Sequence, residues 1–469
     1  MTATFEATLA LRAEGLLATF NRAGVLTAAD VHVAARLGAV GREVDEAVLL
    51  AVALVVRSTR HGSVVLDLGT AEETTSPDVD EEGEGSGADV ALDWPSDWVT
   101  RCFASPLVGG PLQMVGAQVW LARYWDQEEQ VARELVERSA APPDDLDPDI
   151  LKAGLGRLFR AGADDDQRLA AACCALSRIS VLAGGPGTGK TTTVSRLLAL
   201  LREQHPDWRI ALAAPTGKAA ARLEEAVRSS TADLATDDRA RLGELSATTL
   251  HRLLGWRPQS RSRFRHDRTN RLPFEVIVVD ESSMVSLTMM ARLLEALRPP
   301  TRLVLVGDPD QLASVEAGAV LGDLVDRATL GRRTPEFAAT MRTVLPGVDV
   351  PEQPVAPAAQ VRNGVSALST NRRFPADSGI AALSAAVQDG RSHDALATLR
   401  SGGADVEFVE VADDARLSEL QLADVRADVQ AAGAALHEAA EREDAKAAVA
   451  ALERHRLLCA HRRGPRGVQ

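Results

Sequence analysis

The residues with the clearest chemical purpose lie between Gly184 and Thr192. Gly184, Gly185, Pro186, Gly187, Thr188, Gly189, Lys190 and Thr191 spell GxxxxGK[ST], and Thr192 continues into the helix-forming stretch TTTVSRLLALLRE. Glycines let a backbone fold around an anion, so that N–H groups and the following helix N-terminus point at phosphate. In such a loop Lys190 reaches the β- and γ-phosphates and the Thr191 hydroxyl ligates Mg2+. This is a P-loop, and a nucleoside triphosphate is its expected ligand.

Further on, Asp280 and Glu281 close the apolar run FEVIVVD. Asp280 is placed to hold Mg2+ through water, and Glu281 to orient and deprotonate an attacking water. A DE pair at a strand end is often only a solvated loop, but the P-loop upstream favours the functional reading. Gln167, in ADDDQRLAA, is either an exposed helical residue or a reader of the adenine edge, which would make the nucleotide ATP. Thr216 and Lys218, in APTGKA, would meet a nucleic-acid phosphate, and Gln311, in GDPDQL, is placed to sense the γ-phosphate.

These motifs need elements to carry them. Ser177–Leu182, Arg209–Ala213, Val276–Val279 and Arg302–Val306 are continuous apolar runs, as buried parallel strands require, each followed at once by a polar loop. That is the layout of a doubly wound α/β sheet, whose ligands bind beyond the carboxyl ends of the strands. Residues 1–70 read as helical (FEATLALRAEGLLATF, VDEAVLLAVALVV) and end in strand-like GSVVLDL. An acidic, Gly/Ser-rich loop is expected at 71–91, an amphipathic helix in LARYWDQEEQVARELVER, and a linker at 141–149. A Pro-rich stretch at 345–359 separates the α/β domain from an Ala-rich helical end.

Composition limits the alternatives. With 469 residues, 45% apolar and 25% charged, two or three globular domains are expected. The net charge of −14 is unevenly spread. Residues 1–150 carry 10 Arg and no Lys against 26 acidic residues, whereas the remainder is nearly balanced. Aromatics at 3% argue against a protein built on stacking bases along a strand. Cys102, Cys173, Cys174 and Cys459 lack zinc-ligand spacing and read as buried free thiols of a reducing cytoplasm. No signal peptide is visible, and no apolar run approaches the ~18 residues that cross a bilayer. A soluble, cytoplasmic protein is expected.

The motifs GGPGTGKT, APTGKAA, TTLHRLLG (248–255), VIVVDESSMV (276–285), LVGDPDQLASVEAG (305–318) and NRRFPADSGIAAL (371–383) resemble, in content and order, those of superfamily 1 DNA helicases. They are most similar to the RecD family, the alpha subunits of bacterial exodeoxyribonuclease V (RecBCD). VVRSTRHGSVVLDL and RYWDQEEQVAREL also resemble that family's N-terminal domain, which docks on RecC. The resemblance implies an N-terminal domain over 1–145, a first RecA-like ATPase domain over 150–340 and a partial second RecA-like domain over 360–469. It implies a DNA helicase using ATP and Mg2+, moving 5′→3′ on DNA ends in double-strand-break repair, with RecB-like and RecC-like partners. Arg373 resembles the arginine that contacts the γ-phosphate from the second RecA-like domain, and it is preferred to its neighbour Arg372. Thr216, Lys218 and His251 fall in motifs lining the single-strand path.

The basic run Arg257, Arg261, Arg263, Arg265, Arg268 and Arg271 either adds phosphate contacts or is a solvated loop, and Phe264 within it either stacks on a base or, the favoured reading, anchors the loop. No cluster of carboxylates with a Lys suggests a nuclease. The family's VHKSQGSEF-like motif and terminal arginine motif are not found before Gln469. A truncated or split gene product, or an expression fragment, would explain this. A chain acting as a non-motor docking subunit is therefore the alternative expectation.

Overall fold

A computed structural model describes residues 9–78, 92–257, 264–311, 316–375, 377–411 and 421–459. Three short strands, Val65–Asp67 (β1), Leu112–Val115 (β2) and Gln118–Leu121 (β3), form an antiparallel sheet in the order β1-β3-β2. Only the first of them was legible as a strand. The helix Glu46–Arg60 packs on this sheet, and the helices Ala28–Gly41 and Trp98–Ala104 pack in turn on that helix. Asp45 caps the Glu46–Arg60 helix by accepting from the amides of Ala47 and Val48, and it also takes both prongs of Arg101 at 2.6 and 2.7 Å. Eight of that helix's residues, Ala47 to Val55, are buried, so it is apolar nearly all round.

The second sheet holds Ile179–Gly184 (β4), Ile210–Ala214 (β5), Ala247–Thr249 (β6), Val276–Val279 (β7), Arg302–Gly307 (β8) and Val365–Leu368 (β9). All pairings are parallel, in the order β6-β5-β7-β8-β4-β9. The apolar runs are continuous because helices cover both faces. Val276 and Val278, Val304 and Val306 face one core with Leu197, Leu201 and Phe159. Ile277 and Val279, Leu303 and Leu305 face the other with Met290 and Leu294. The expected doubly wound sheet is present, and β6 and β9 extend it by two strands that the runs did not announce.

Two segments expected to be linkers are built into this body. Asp145 pairs with the buried guanidinium of Arg302 at 2.5 and 3.1 Å, which tethers the 141–149 stretch to the start of β8. In the Pro-rich 345–359 stretch, Leu345 and Val350 are buried in the first core, and Arg333 pairs with Glu352 as an isolated parallel bridge. Proline content marks a segment without a regular ladder; it does not mark an exposed one. The chain continues through the Pro357–Asn363 helix into β9, so residues expected to open the last domain at 360 complete this sheet instead.

By compactness the chain forms two units. The first contains residues 9–21, 26–75 and 93–375 of the described chain, so the N-terminal elements and the large sheet share one body. The second consists mainly of residues from 377 onward. Among its described residues it carries the helices Gly379–Gln388, Ser392–Ser401, Ala423–Glu441 and Ala445–Arg454 and no strand. The acidic residues 79–91 lie outside the described residues, while Ala71–Thr74 of that expected loop form a helical turn. Cys102, Cys173 and Cys174 are buried as expected, but Cys459 is exposed because it follows the last helix rather than packing in a core.

Candidate active site

Because every strand of the large sheet runs the same way, their carboxyl ends share one edge. Read along the strand order, that edge carries His251 just past β6, then Thr216 and Lys218 past β5. Asp280 and Glu281 follow β7, Asp308 and Gln311 follow β8, the P-loop follows β4, and Arg373 follows β9. The topology thus gathers the four motifs suited to a triphosphate on four adjacent strands. The two suited to a polynucleotide stand on the two strands beyond.

The P-loop turns from β4 into the Lys190–Gln204 helix. Gly187 (φ 80°) and Gly189 (φ 87°) are left-handed, which a side chain would resist. Space demands glycine as well. A Cβ on Gly187 would lie 2.6 Å from the Cβ of Arg373, and one on Gly189 would lie 2.2 Å from Nε2 of Gln167. Gly189 offers the helix no side-chain cap, so its first amides remain available to an anion. Lys190 Nζ donates to the Gly184 and Gly185 carbonyls at 2.5 and 3.0 Å, folded onto the loop that would otherwise frame phosphate. Burial lowers the Lys190 pKa; Asp308, Asp280 and Glu281 oppose that shift, and the charge of Arg373 adds to it. Thr188 is buried and braces the turn by donating to the Gly185 carbonyl at 2.8 Å.

The Asp280 amide donates to the Ala213 carbonyl at 2.9 Å, which fixes the end of β7 against β5. Burial pushes the Asp280 carboxyl up, Glu281 adds to the rise, and the Glu281 amide and Lys190 oppose it. Glu281 adopts φ 51°, a left-handed conformation that a residue with a Cβ rarely takes without reason. Ser282 behind it is buried and donates to the Val306 carbonyl at 2.7 Å, tying this turn to β8.

Among the described residues no group of three His, Cys, Asp or Glu side chains is placed to hold a metal. Asp280 with the Thr191 hydroxyl, which has no hydrogen-bond partner among the described residues, suits an ion that keeps waters and takes its other ligands from phosphate. The donor set therefore fits Mg2+ brought in with a nucleotide.

Two segments that sequence reasoning treated separately meet at the P-loop. Gln167 is 1% exposed, so it is no exposed helical residue. Its Nε2 donates to the Gly189 and Thr188 carbonyls at 3.3 and 3.5 Å, and its Oε1 accepts from Arg196 at 3.4 Å. The amide expected to read a base edge thus also lies against the P-loop. Beyond β9, the Arg372 amide donates to the Gly187 carbonyl at 2.8 Å, and Asn371 Nδ2 to the Pro186 carbonyl at 3.4 Å. Arg373 is carried over the P-loop by the same body that contains it, rather than by the second unit. Arg372 points away to Asp164 and the Ala163 carbonyl, both at 2.7 Å. Of the two arginines, Arg373 is the one whose charge reaches Lys190.

Asp164, Arg196, Asn371 and Asp308 were not singled out from the sequence. Asp164 was hidden in an acidic run that reads as solvated. Arg196 stands seven residues after Gly189, two helical turns on the face that returns to the loop. Asp308 is buried at the end of β8, where only the packing distinguishes it from Asp310.

On the other part of the edge, Thr216 caps the Gly217–Ala232 helix by accepting from Ala219 at 3.2 Å, and Lys218 is exposed on its first turn. His251 is exposed on the Leu250–Leu253 helix, with its ring centroid 6.0 Å from that of Phe264. Phe264 packs partly buried on the second core, as a loop anchor does. Arg268 pairs with Glu134 at 3.1 Å and Arg271 donates to the Leu297 carbonyl, so neither is a free phosphate contact. Arg261 and Arg263 lie outside the described residues. Gln311 is exposed, and its amide donates to the Asp308 carbonyl at 3.3 Å.

Comparison with known proteins accords with this arrangement. Residues 167–317 match the AAA domain family, and residues 22–117 match the family described as RecBCD enzyme subunit RecD, N-terminal domain. The chain is 48% identical to the RecBCD enzyme subunit RecD of Mycolicibacterium smegmatis over 95% of its own length and 71% of that protein's. It is 46% identical to the corresponding subunit of Mycobacterium tuberculosis over 98% of this chain and 72% of the relative. A shorter match, 38% identical over 36% of this chain and 21% of the relative, is to the ATP-dependent RecD2 DNA helicase of Deinococcus radiodurans.

Proposed function

The chain belongs to the RecD family, and from that premise we propose that its sheet edge is the nucleotide site of an ATP-dependent DNA helicase subunit of the RecBCD complex. RecB-like and RecC-like chains are its partners, and DNA is its track. The observation that carries the site assignment is the convergence of the P-loop, the Asp280–Glu281 turn and the Arg373 loop on adjacent strands. In this reading the backbone N–H groups of residues 187–192 and the Lys190 side chain hold the β- and γ-phosphates, and Gln167 braces the loop beneath them. Thr191 and Asp280 hold Mg2+, which when bound neutralises phosphate charge. Glu281 accepts a proton from the attacking water, while Gln311 and Arg373 face the γ-phosphate. Thr216, Lys218 and His251 line the DNA path, and travel is 5′→3′.

The N-terminal elements read as the RecC-docking part and the large sheet as the ATPase part of one compact unit, and the region from about residue 377 reads as the partial second RecA-like domain. A non-motor docking subunit is not favoured, since the AAA domain match runs from the Gln167 segment past the Gln311 loop. Among the described residues no helix is long and apolar enough to cross a membrane, and the cytoplasm, where the chromosome lies, is the proposed location.

Steady-state ATP hydrolysis by the full chain, with and without single-stranded DNA, tests this reading. Turnover stimulated by DNA and abolished in Lys190→Gln, with unchanged circular dichroism, is expected. Near-normal turnover in Lys190→Gln would overturn the P-loop assignment.

A further inference from the structure

Asp164 stands at the N-cap position of the Asp165–Ala175 helix, where an aspartate ordinarily accepts from the helix's own first amides. Here it makes no such bond. Its carboxylate, 0% exposed, instead accepts from the Arg160 amide at 3.1 Å, from Arg196 at 3.0 Å and from Arg372 at 2.7 Å. Arg196 is itself fixed, its guanidinium 5.1 Å from the Phe159 ring centroid and bonded to Gln167. One buried anion thus pairs with three cations: Arg196 in the helix after the P-loop, Arg372 beside Arg373, and Arg160 at 3.7 Å.

We infer that Asp164 is a positioning residue for Arg373. By engaging the Arg372 guanidinium it leaves Arg373 alone over the P-loop and fixes the 371–373 loop in register with Gly187. This rests on the ATPase reading above and adds to it a residue that touches neither nucleotide nor DNA. The electrostatics give the physical reason. Without Asp164, Arg196 and Arg372 would lose the buried counter-charge they share, and Arg372 would be drawn to the same phosphates as Arg373. The Arg372 amide on the Gly187 carbonyl and Asn371 Nδ2 on the Pro186 carbonyl tie this loop to the P-loop at its tip. The side-chain bonds of Arg372 to Asp164 and Ala163, with Asp166 at 3.6 Å, attach the loop at a further point, on the 163–166 segment.

A double-mutant cycle on the full chain tests the inference, read as kcat and KM for ATP. Asp164→Asn keeps the shape and removes the charge. It should lower kcat by about 10-fold or more, the scale of a misplaced catalytic group, while KM moves less than ~3-fold. Arg372→Gln should do the same, and it carries the test if Asp164→Asn fails to fold by circular dichroism. In an Arg373→Ala background, already slowed by about 10²-fold or more, either change should cost less than ~2-fold further, because the group being positioned is gone. A general structural role would multiply with Arg373→Ala instead. Multiplicative losses, or full kcat in Arg372→Gln, would overturn the inference while leaving the ATPase reading intact. A wild-type chain without turnover would overturn both.

Discussion

Two residues in the site couple stability to placement in opposite senses. Glu281 holds φ 51° at the end of β7, where its carboxylate contributes to the field at Lys190. A left-handed conformation at a residue with a Cβ costs about 1–2 kcal/mol, which glycine would largely escape. Glu281→Gly should therefore raise unfolding stability by up to about 1 kcal/mol in urea titration while lowering ATP turnover by about 10²-fold or more. Asp164 behaves in the opposite sense. Burial alone would raise its carboxyl, but the Arg160 amide, Arg372 and Arg196 bring it down to about 2. The charged form is thus favoured by folding, and the stability it contributes is fully present above the unfolded value of 3.8 and fades as pH falls toward 2. The stability gap between wild type and Asp164→Asn, measured by denaturant titration, should be constant above that range and close within it.

At the scale of elements, β9 decides where Arg373 can be. It is an edge strand paired only to β4, and Gly364 at its start lies directly against the neighbouring backbone. A Cβ there would stand 2.1 Å from the Ile179 carbonyl oxygen, although the φ of −84° suits any residue. Gly364→Ala should consequently force β9 away from β4, destabilising the chain by about 2 kcal/mol. Binding of a fluorescent ATP analogue should weaken with it, because the 371–373 loop moves with its strand. Unchanged stability and affinity would mean that the edge can shift without disturbing the P-loop. Arg333 supports the same strand from the other side, donating to the Val365 carbonyl at 2.8 Å and the Ser366 hydroxyl at 3.3 Å.

At the scale of the molecule, the N-terminal elements and the ATPase sheet are one body. The Ala122–Ser139 helix lays Val131 and Leu135 on the second core, and buried Arg138 reaches across to the end of the Leu287–Ala296 helix. It donates to the Arg298 carbonyl at 2.9 Å and to the Leu294 and Leu297 carbonyls at 3.3 Å, with Glu134 beside it. Arg138→Met would strand these acceptors and Glu134, at a cost of about 3 kcal/mol. Calorimetry should show the N-terminal and ATPase elements melting together and shifting together in this variant. Two separable transitions, of which only one moves, would mean that they are independent domains. Residues 1–150 expressed alone would expose Val131 and Leu135, so RecC docking is better tested with the whole chain.

Local chemistry made much of this protein legible in its sequence. A loop that must expose amides to phosphate needs glycine, and a strand buried on both faces needs an unbroken apolar run. The P-loop, four of the six parallel strands and the Asp280–Glu281 turn were therefore readable without coordinates. The long-range pairings were not. Nothing in LPGVDVPEQPVAPAA announces that Leu345 and Val350 are core residues, or that the chain beyond them returns to pair with β4. Gln167, Asp164, Arg196 and Arg372 meet only because strands and helices far apart in sequence stack on one sheet edge. Their types alone fit solvated helix ends equally well. Burial and charge pairing are properties of the packed body, so only the tertiary structure decided which arginine faces the P-loop and which is held back.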